Sequence, residues 1–224
     1  MTHEEYHSDN SRISKSALDL FSKSPALYFR RKMQHAADFN TDSTEIGTAF
    51  HEIVLQPRLY WSKPTGKHHE LVKAMNEALQ AHPIARKLLS TGDSEHLITW
   101  TANDVACKAM IDHINHDYRV IVDLKKTRDA SPYGFRSSAR KYRYDVQAAF
   151  YSDGWEEHTG ERYAFIFIAV SDTWPHIVKC YSAPDEMLDD GRMKYTEDLT
   201  NYRKCLTENN WPASLDNKIT PLIW

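Results

Sequence analysis

The chain has 224 residues, of which 26% are charged and 41% hydrophobic, and its formal net charge at pH 7 is −3. This balance excludes a disordered chain, and we expect a single domain over residues 1–224. The sequence has no apolar run near the ~20 residues of a membrane span, no signal peptide at its polar start, and only three scattered cysteines. We therefore expect a cytoplasmic protein without a disulfide framework or a zinc site.

The predicted elements, in chain order, give an α/β fold with a central mixed β-sheet flanked by helices. Helices are expected from Ser14 or Ser16 to about Ser22, from Ser24-Pro25 onward, and over 45–56, 67–80 and 83–90, with Pro57 ending the third. Strands are expected at about 95–101, 104–114 and 118–126. After a connection at 131–134 we expect a helix over 137–154, strands over 163–171 and 176–182, and a helix over 184–208.

The strand over 118–126 ends with an acid and a lysine at i and i+2. Because side chains alternate along a strand, Asp123 and Lys125 share a face of it. Burying such a pair costs several kcal/mol unless a metal or a partner charge offsets it. An acid and a lysine beside a metal suit phosphodiester hydrolysis. The pattern alone is common and more often marks a surface ion pair, and Lys126 competes with Lys125 for the role.

A second acid lies on the preceding strand. Asp112 precedes a four-residue connection, 115–118, which predicts a β-hairpin with the Asp123 strand. Adjacent strands can bring Asp112 and Asp123 together as two hard oxygen ligands for Mg²⁺ or Mn²⁺. The alternative for both acids is a surface carboxylate at a hairpin.

Two helices carry further polar residues in a regular pattern. His51 lies beside an apolar stripe of the 45–56 helix, and Tyr144, Gln147 and Tyr151 share one face of a later helix. The alternative for His51 is an ordinary core or helix-surface histidine. Gln147 and Tyr151 would look the same if they only packed one helix against another.

Taken together, these motifs resemble the PD-(D/E)XK nuclease superfamily, in its RecB-like branch, and most closely the nuclease domain of RecE (exonuclease VIII). The matching stretches are Ile13–Leu18, Ser24–Tyr28, Gly47–His51, Ile121–Thr127, Tyr142–Gln147 and Ala149–Gly154, with Trp211-Pro212 near the end. One departure is Met110-Ile111-Asp112, where the family usually has Arg-Pro-Asp. The acid is kept, so the resemblance keeps its role.

The resemblance implies a role for each of these residues. His51, Asp112, Asp123 and the backbone carbonyl of Leu124 would hold Mg²⁺, for which Mn²⁺ can substitute. Lys125 would orient the attacking water and stabilise charge on the phosphate, and Gln147 and Tyr151 would position water, Lys125 or DNA. Three cysteines cannot build the four-cysteine iron–sulfur cluster of some RecB-like nucleases.

The charges of the chain are unevenly distributed. From 119 to 143 there are eight Lys or Arg and two Asp, and a second basic cluster lies at 30–32. Basic residues near the active strand would neutralise phosphates, although each cluster is as readily a solvated helix face. The candidate DNA contacts are Tyr28, Arg30, Arg31, Lys126, Arg140 and Arg143.

The resemblance also implies an activity and partners. We expect a sequence-independent exonuclease on the ends of linear duplex DNA, acting 5′→3′, releasing mononucleotides and leaving a 3′ single strand. The family further implies a ring-shaped homo-oligomer, a tetramer rather than a trimer, a RecT-like single-strand annealing partner, and a phage or prophage origin in the bacterial cytoplasm. Two alternatives remain: a structure-specific endonuclease or nickase on the same fold, and a non-catalytic DNA-binding module.

Overall fold

A computed structural model describes residues 3–34, 41–215 and 219 of the chain. The helices α1 to α10 are His3–Ser8, Lys15–Lys23, Pro25–Tyr28, Asp42–Leu55, Pro57–Trp61, His69–Ala81, Pro83–Leu88, Pro132–Lys141, Tyr144–Thr159 and Asp185–Glu208. A π-helical turn, Phe29–Met33, continues α3. The strands β1 to β5 are Asp93–Ala102, Val105–Asn115, Val120–Thr127, Ala164–Ser171 and Val178–Ser182.

The five strands form one mixed sheet in the order β1-β2-β3-β4-β5. The β3–β4 pair is parallel and the other three pairs are antiparallel. Helices α8 and α9 form the crossover that a connection between two parallel strands requires. The α/β fold predicted from the sequence, with a central mixed sheet and flanking helices, is confirmed.

Each face of the sheet is covered by its own apolar cluster. Ile121 of β3 belongs to the cluster that contains Phe21 of α2 and Phe150 of α9. Its neighbour Val122 belongs to the cluster that contains Phe50 of α4 and Met75 of α6. Successive residues of β3 therefore point into opposite cores, as the alternation of a strand buried on both faces requires. The site described below lies where β3 passes between these two layers.

The predicted helix over 137–154 is wrong in its boundaries, because two helices occupy this part of the chain. The predicted connection at 131–134 contains the N-cap and first turn of α8: Ser131 accepts a hydrogen bond from the N–H of Gly134, and Pro132 occupies the first turn. The chain then breaks at Arg143, whose backbone is left-handed at φ 53°. A long side chain gives no sequence signal for this conformation, which glycine or asparagine usually adopts.

The other predicted elements are found with shifts of a few residues. Helix α4 begins at Asp42, earlier than predicted, because Thr41 accepts a hydrogen bond from the N–H of Thr44. Pro57 follows the end of α4 as predicted, but it also opens the short helix α5. Within the described part of the chain, none of the helices has the length and apolarity needed to cross a bilayer.

Candidate active site

The site begins where the pairing of β2 with β3 stops. These strands pair at His113 with Val122, and the pairs continue to Asn115 with Val120 at the hairpin end. One step further along the same register, Asp112 lies opposite Asp123. There the Asp112 carboxylate accepts a hydrogen bond of 2.7 Å from the backbone N–H of Leu124. Where the backbone pairing of β2 with β3 ends, a side-chain oxygen of Asp112 thus accepts the hydrogen bond from β3, and this bond holds Asp112 against β3.

A third acid, Glu95, completes a line across three strands. Ser94 pairs with His113 and His96 pairs with Ile111, so Glu95 of β1 lies opposite Asp112. The Glu95 backbone is left-handed, with φ of 54°, near the start of the otherwise extended strand β1. Such a conformation costs a non-glycine residue about 1–3 kcal/mol and is concentrated at functional sites. The sequence analysis missed Glu95, because an isolated acid near a strand start gives no signal of this distortion.

Glu95, Asp112 and His51 form a cluster that we call the metal corner. Each residue offers one ligand atom, and the three atoms lie within 4.8 Å of one another. Helix α4 brings His51 to the strands, with its Nδ1 at 3.6 Å from an Asp112 oxygen. Burial, and then the nearby Asp112 carboxylate, raise the pKa of Glu95 to about 7. Two carboxylates and one imidazole held this close suit a divalent cation such as Mg²⁺ or Mn²⁺.

Asp123 and Lys125 form a second unit, which we call the buried pair. Asp123 is 1% exposed, and its Oδ2 lies 2.5 Å from the Lys125 ammonium. The other oxygen, Oδ1, accepts a hydrogen bond of 2.6 Å from the Gln147 amide. The ammonium also lies 4.9 Å from the centre of the Tyr144 ring, at the start of α9. Gln147 and Tyr144 therefore fix both members of the buried pair.

The protonation of the buried pair reflects this environment. Burial raises the pKa of Asp123, and Lys125 opposes that shift. Burial would lower the pKa of Lys125, but the Asp123 and Asp112 carboxylates outweigh it and raise the pKa. The ion-paired Oδ2 of Asp123 has no well-directed hydrogen bond from any described residue. This oxygen has a lone pair left with which to coordinate a cation, although Asp123 is not among the three clustered ligands.

The remaining predicted site residues lie close by. Tyr151 is largely buried on α9, and burial raises the pKa of its hydroxyl well above 10. Lys126 donates to Ser43 and pairs with Asp172 at 3.0 Å, so it is engaged away from Asp123. This arrangement favours Lys125 over Lys126 for the role beside the acid. The roles of Gln147 and Tyr151, and of the Leu124 carbonyl, stay predictions.

The buried pair opens into a cleft of about 1200 Å³, which we call the basic cleft. Its lining includes Gln147, Tyr144 and Tyr151 beside Lys125. It carries far more cations than acids: the cations are Lys15, Lys23, Lys125, Lys126, Arg128, Lys141 and Arg143, and the acids are Asp19 and Asp172. A concave surface of one sign attracts a polyanion even when the whole chain is slightly acidic.

The lining of the cleft includes a buried lysine, Lys15, that the sequence analysis did not assign to the site. Lys15 is buried, donates to the Tyr142 carbonyl at 2.8 Å and pairs with Asp19 at 2.6 Å. Burial lowers the pKa of Lys15, and Asp19 partly compensates. It ties α2 to the break between α8 and α9. Lys15 lies within the Ile13–Leu18 motif, but the sequence did not show where in the fold this motif would pack.

Two of the candidate DNA contacts have structural roles. Tyr28 is 2% exposed, its hydroxyl lies 3.2 Å from the Tyr202 hydroxyl, and its ring stacks on Trp211. The prediction that Tyr28 contacts DNA is wrong, because its apolar ring is part of the core. Arg143 pairs with Asp198 at 2.5 Å and with Asp19 at 3.4 Å. It therefore joins α2 and α10 to the start of α9.

The other candidates, Arg30, Arg31, Lys126 and Arg140, are not buried. Lys126 and Arg143 line the basic cleft, as described above. Contact of any of these four residues, or of Arg143, with DNA stays a prediction.

Comparison with known proteins places this geometry in context. A family described as a PDDEXK-like domain of unknown function matches residues 14–217. No curated protein matches the chain. A protein from Eubacterium rectale, provisionally named an exonuclease, superposes with a TM-score of 0.82 at 14% identity, covering 100% of this chain and 96% of that chain. The two chains therefore share a fold.

Two further structures are more distant. The phage-related exonuclease from Haemophilus somnus 129PT gives a TM-score of 0.44 at 16% identity, covering 89% of this chain and 96% of that chain. The alkaline exonuclease from Laribacter hongkongensis gives a TM-score of 0.40 at 14% identity, covering 93% of this chain and 96% of that chain.

Proposed function

The chain belongs to the family of PDDEXK-like domains, which confirms the superfamily predicted from its motifs, and from this premise we propose that it is a metal-dependent DNA exonuclease. Its substrate is the end of linear duplex DNA, cut without regard to sequence, 5′→3′, with release of mononucleotides and a remaining 3′ single strand. One observation carries the proposal: the metal corner and the buried pair lie on adjoining strands, and Lys125 opens into a basic cleft.

The residues of the metal corner fit a divalent cation. Burial, and then repulsion between the Glu95 and Asp112 carboxylates, raise the pKa of Glu95, so Glu95 tends to keep its proton. A cation that binds there would displace this proton. With Asp123 and the Leu124 carbonyl as predicted additional ligands, the set is dominated by oxygen, which suits Mg²⁺ and accepts Mn²⁺. A cation bound there would polarise the scissile phosphate and lower the pKa of a bound water.

The protein's own residues supply the rest of the chemistry. Lys125 places a fixed positive charge at the wall of the cleft, where negative charge develops on the phosphate. Asp123 and the Tyr144 ring hold that ammonium, and the Gln147 amide prevents the Asp123 carboxylate from turning away. Because these groups are fixed before DNA arrives, little reorganisation accompanies the reaction. The other cations of the cleft bind the DNA backbone, which requires no base contact.

The polarity, the oligomer and the partner come from the resemblance to RecE. We propose a ring-shaped homo-oligomer, a tetramer rather than a trimer, that encloses DNA and supplies a RecT-like annealing protein with single strands in the cytoplasm of a bacterium carrying a phage or prophage. A ring suits a chain of net charge −3, since it would direct the basic clefts toward the DNA.

Digestion of linear duplex DNA beside covalently closed plasmid tests the proposal. With Mg²⁺ we expect loss of the linear DNA alone, no loss in chelator, and no loss with Asp112→Asn. The matched control is Asp104→Asn, an exposed aspartate paired with Arg203 away from the site, which should digest like the wild type. End-labelled substrate then assigns the polarity.

Two results would replace the proposal. Cleavage of closed plasmid would identify a structure-specific endonuclease or nickase. Absence of cleavage with both Mg²⁺ and Mn²⁺, in a protein that binds DNA, would identify a non-catalytic DNA-binding module.

A further inference from the structure

Two aromatic side chains stand out from the surface beside the basic cleft. Trp174 is 88% exposed in the β4–β5 loop, and Tyr133 is 86% exposed in the first turn of α8. Tryptophan is usually well covered in folded proteins, because its large apolar surface is costly to leave in water. We call these two side chains the aromatic rim. Their exposure leaves both aromatic faces available to a ligand.

The backbone that carries Trp174 is firmly held. The Arg128 carbonyl accepts hydrogen bonds from the Ser171 hydroxyl at 3.1 Å and from the Thr173 hydroxyl at 3.2 Å. The Asp172 N–H donates to the Thr127 carbonyl at 2.9 Å. A ring displayed on a braced loop loses little conformational freedom when a partner stacks on it.

The backbone that carries Tyr133 is also held. The Ala130 carbonyl accepts a hydrogen bond of 2.7 Å from the Tyr181 hydroxyl, and the Ser131 N–H donates to Asp129 at 2.8 Å. A Cβ at Gly134 would lie 2.3 Å from the Asp129 carboxylate, so the chain wraps closely here. Since the 128–131 segment is bonded to both β5 and the β4–β5 loop, the two rim residues lie on mutually braced segments.

The segments that carry the aromatic rim also contribute to the lining of the basic cleft, through Asp172 and Lys141, and they carry several cations. Arg128 and Lys141 line the cleft, and Arg136 and Arg140 are exposed on α8. None of these four forms an ion pair with an acid in the described ranges 3–34 and 41–215, and α8 itself contains no acid. Lys126 and Arg143, in contrast, are already paired. Four cations without an ion-pair partner among the described residues therefore lie on or next to the segment that carries Tyr133.

We propose that the aromatic rim binds single-stranded DNA, with unpaired bases stacked on Trp174 and Tyr133 and phosphates on Arg128 and Arg136. This rests on the proposed function and extends it, because a duplex end that is digested from one strand exposes the other strand unpaired. Aromatic faces interleaved with unpaired cations suit a polyanion whose every base has a π face. We commit to single-stranded DNA as the occupant because a polyanion supplies the charge that complements these four cations.

Binding of a fluorescein-labelled oligothymidylate, measured by anisotropy in EDTA with the Asp112→Asn protein, tests this proposal without cleavage. Trp174→Ala should weaken binding by about 5- to 100-fold, as expected for the loss of one stacked base. Trp174→Phe should keep most of the affinity, because it keeps an aromatic face. The matched control is Trp61→Ala on α5, a 57% exposed tryptophan outside the basic cleft, which should bind like the parent.

The outcomes separate this proposal from the nuclease proposal. If Trp174→Ala leaves the oligothymidylate affinity unchanged, or if Trp61→Ala lowers it equally, the aromatic rim does not bind single-stranded DNA. Neither result would bear on the nuclease proposal. Trp174-dependent binding by a wild-type protein that digests nothing would support the rim and overturn the nuclease. A change in molar mass by light scattering for Trp174→Ala, with no change in DNA affinity, would identify a contact between copies instead.

Discussion

The metal corner and the buried pair lie on adjoining strands but are built in opposite ways. Asp123 of the buried pair is enclosed and is bonded to a lysine and an amide. The metal corner is partly exposed: its two carboxylates lie beside one histidine, Asp112 also accepts a hydrogen bond from the Leu124 N–H, and Glu95 has a left-handed backbone. The protein itself supplies the counter-charge in the first arrangement, whereas in the second a bound cation would supply it.

This difference predicts opposite responses to substitution. Removing one member of the buried pair leaves an uncompensated charge in the core, so the protein should lose stability along with function. Neutralising the Glu95 carboxylate of the metal corner relieves repulsion, so the metal-free protein should gain stability while metal affinity falls. Such a conflict between stability and activity is common at functional sites.

The largest effect is expected for Asp123→Ala. Lys125 would remain buried without its counterion, and we expect the free energy of unfolding in urea to fall by about 3–5 kcal/mol. The double variant Asp123→Ala with Lys125→Met removes both charges and should recover much of the loss. A single variant as stable as the wild type would show that the buried pair is not the enclosed unit described above.

An intermediate effect of opposite sign is expected for Glu95→Gln. The pKa of Glu95 is about 7 in the folded protein and about 4.3 in an unfolded chain. The folded state therefore binds a proton on Glu95 more tightly than the unfolded chain does. Below about pH 4.3 Glu95 does not lower the free energy of unfolding of the metal-free protein, and this free energy falls as the pH rises from there to about 7.

Glu95→Gln should abolish this loss and stabilise the metal-free protein at pH 8 by about 1–2 kcal/mol, allowing for solvent screening at a half-exposed group. Urea unfolding at pH 5 and pH 8 measures it. A wild-type stability that is flat between these values, or a variant less stable at pH 8, would contradict the assignment.

A smaller effect is expected at Tyr144, which contacts the buried pair through its ring. Tyr144→Leu removes the aromatic face over Lys125 and should lower stability by about 1–2 kcal/mol. Tyr144→Phe keeps the face and should cost less. Thermal unfolding of the two variants under identical buffer separates them, and equal losses would assign the effect to the hydroxyl rather than to the ring.

The sequence predicted the buried pair better than it predicted the metal corner. Side chains alternate along a strand, so the i, i+2 spacing predicted that Asp123 and Lys125 share a face. The four-residue connection predicted the hairpin before them. Glu95 was not predicted, because its place beside Asp112 depends on the register of β1 with β2 and on a left-handed backbone. Tyr28 was misassigned for a related reason, since a ring beside basic residues packs into the core or onto DNA according to tertiary contacts alone.

The most direct test of the contrast is calorimetric titration of Mn²⁺ into metal-free wild-type protein, Glu95→Gln and Glu52→Gln. Glu52 neighbours His51 on α4 but pairs with Lys63, so it is the matched control. We predict that Glu95→Gln weakens Mn²⁺ binding by about 10-fold or more and that Glu52→Gln binds like the wild type. Equal Mn²⁺ affinity in Glu95→Gln and the wild type would contradict the metal corner as the cation site.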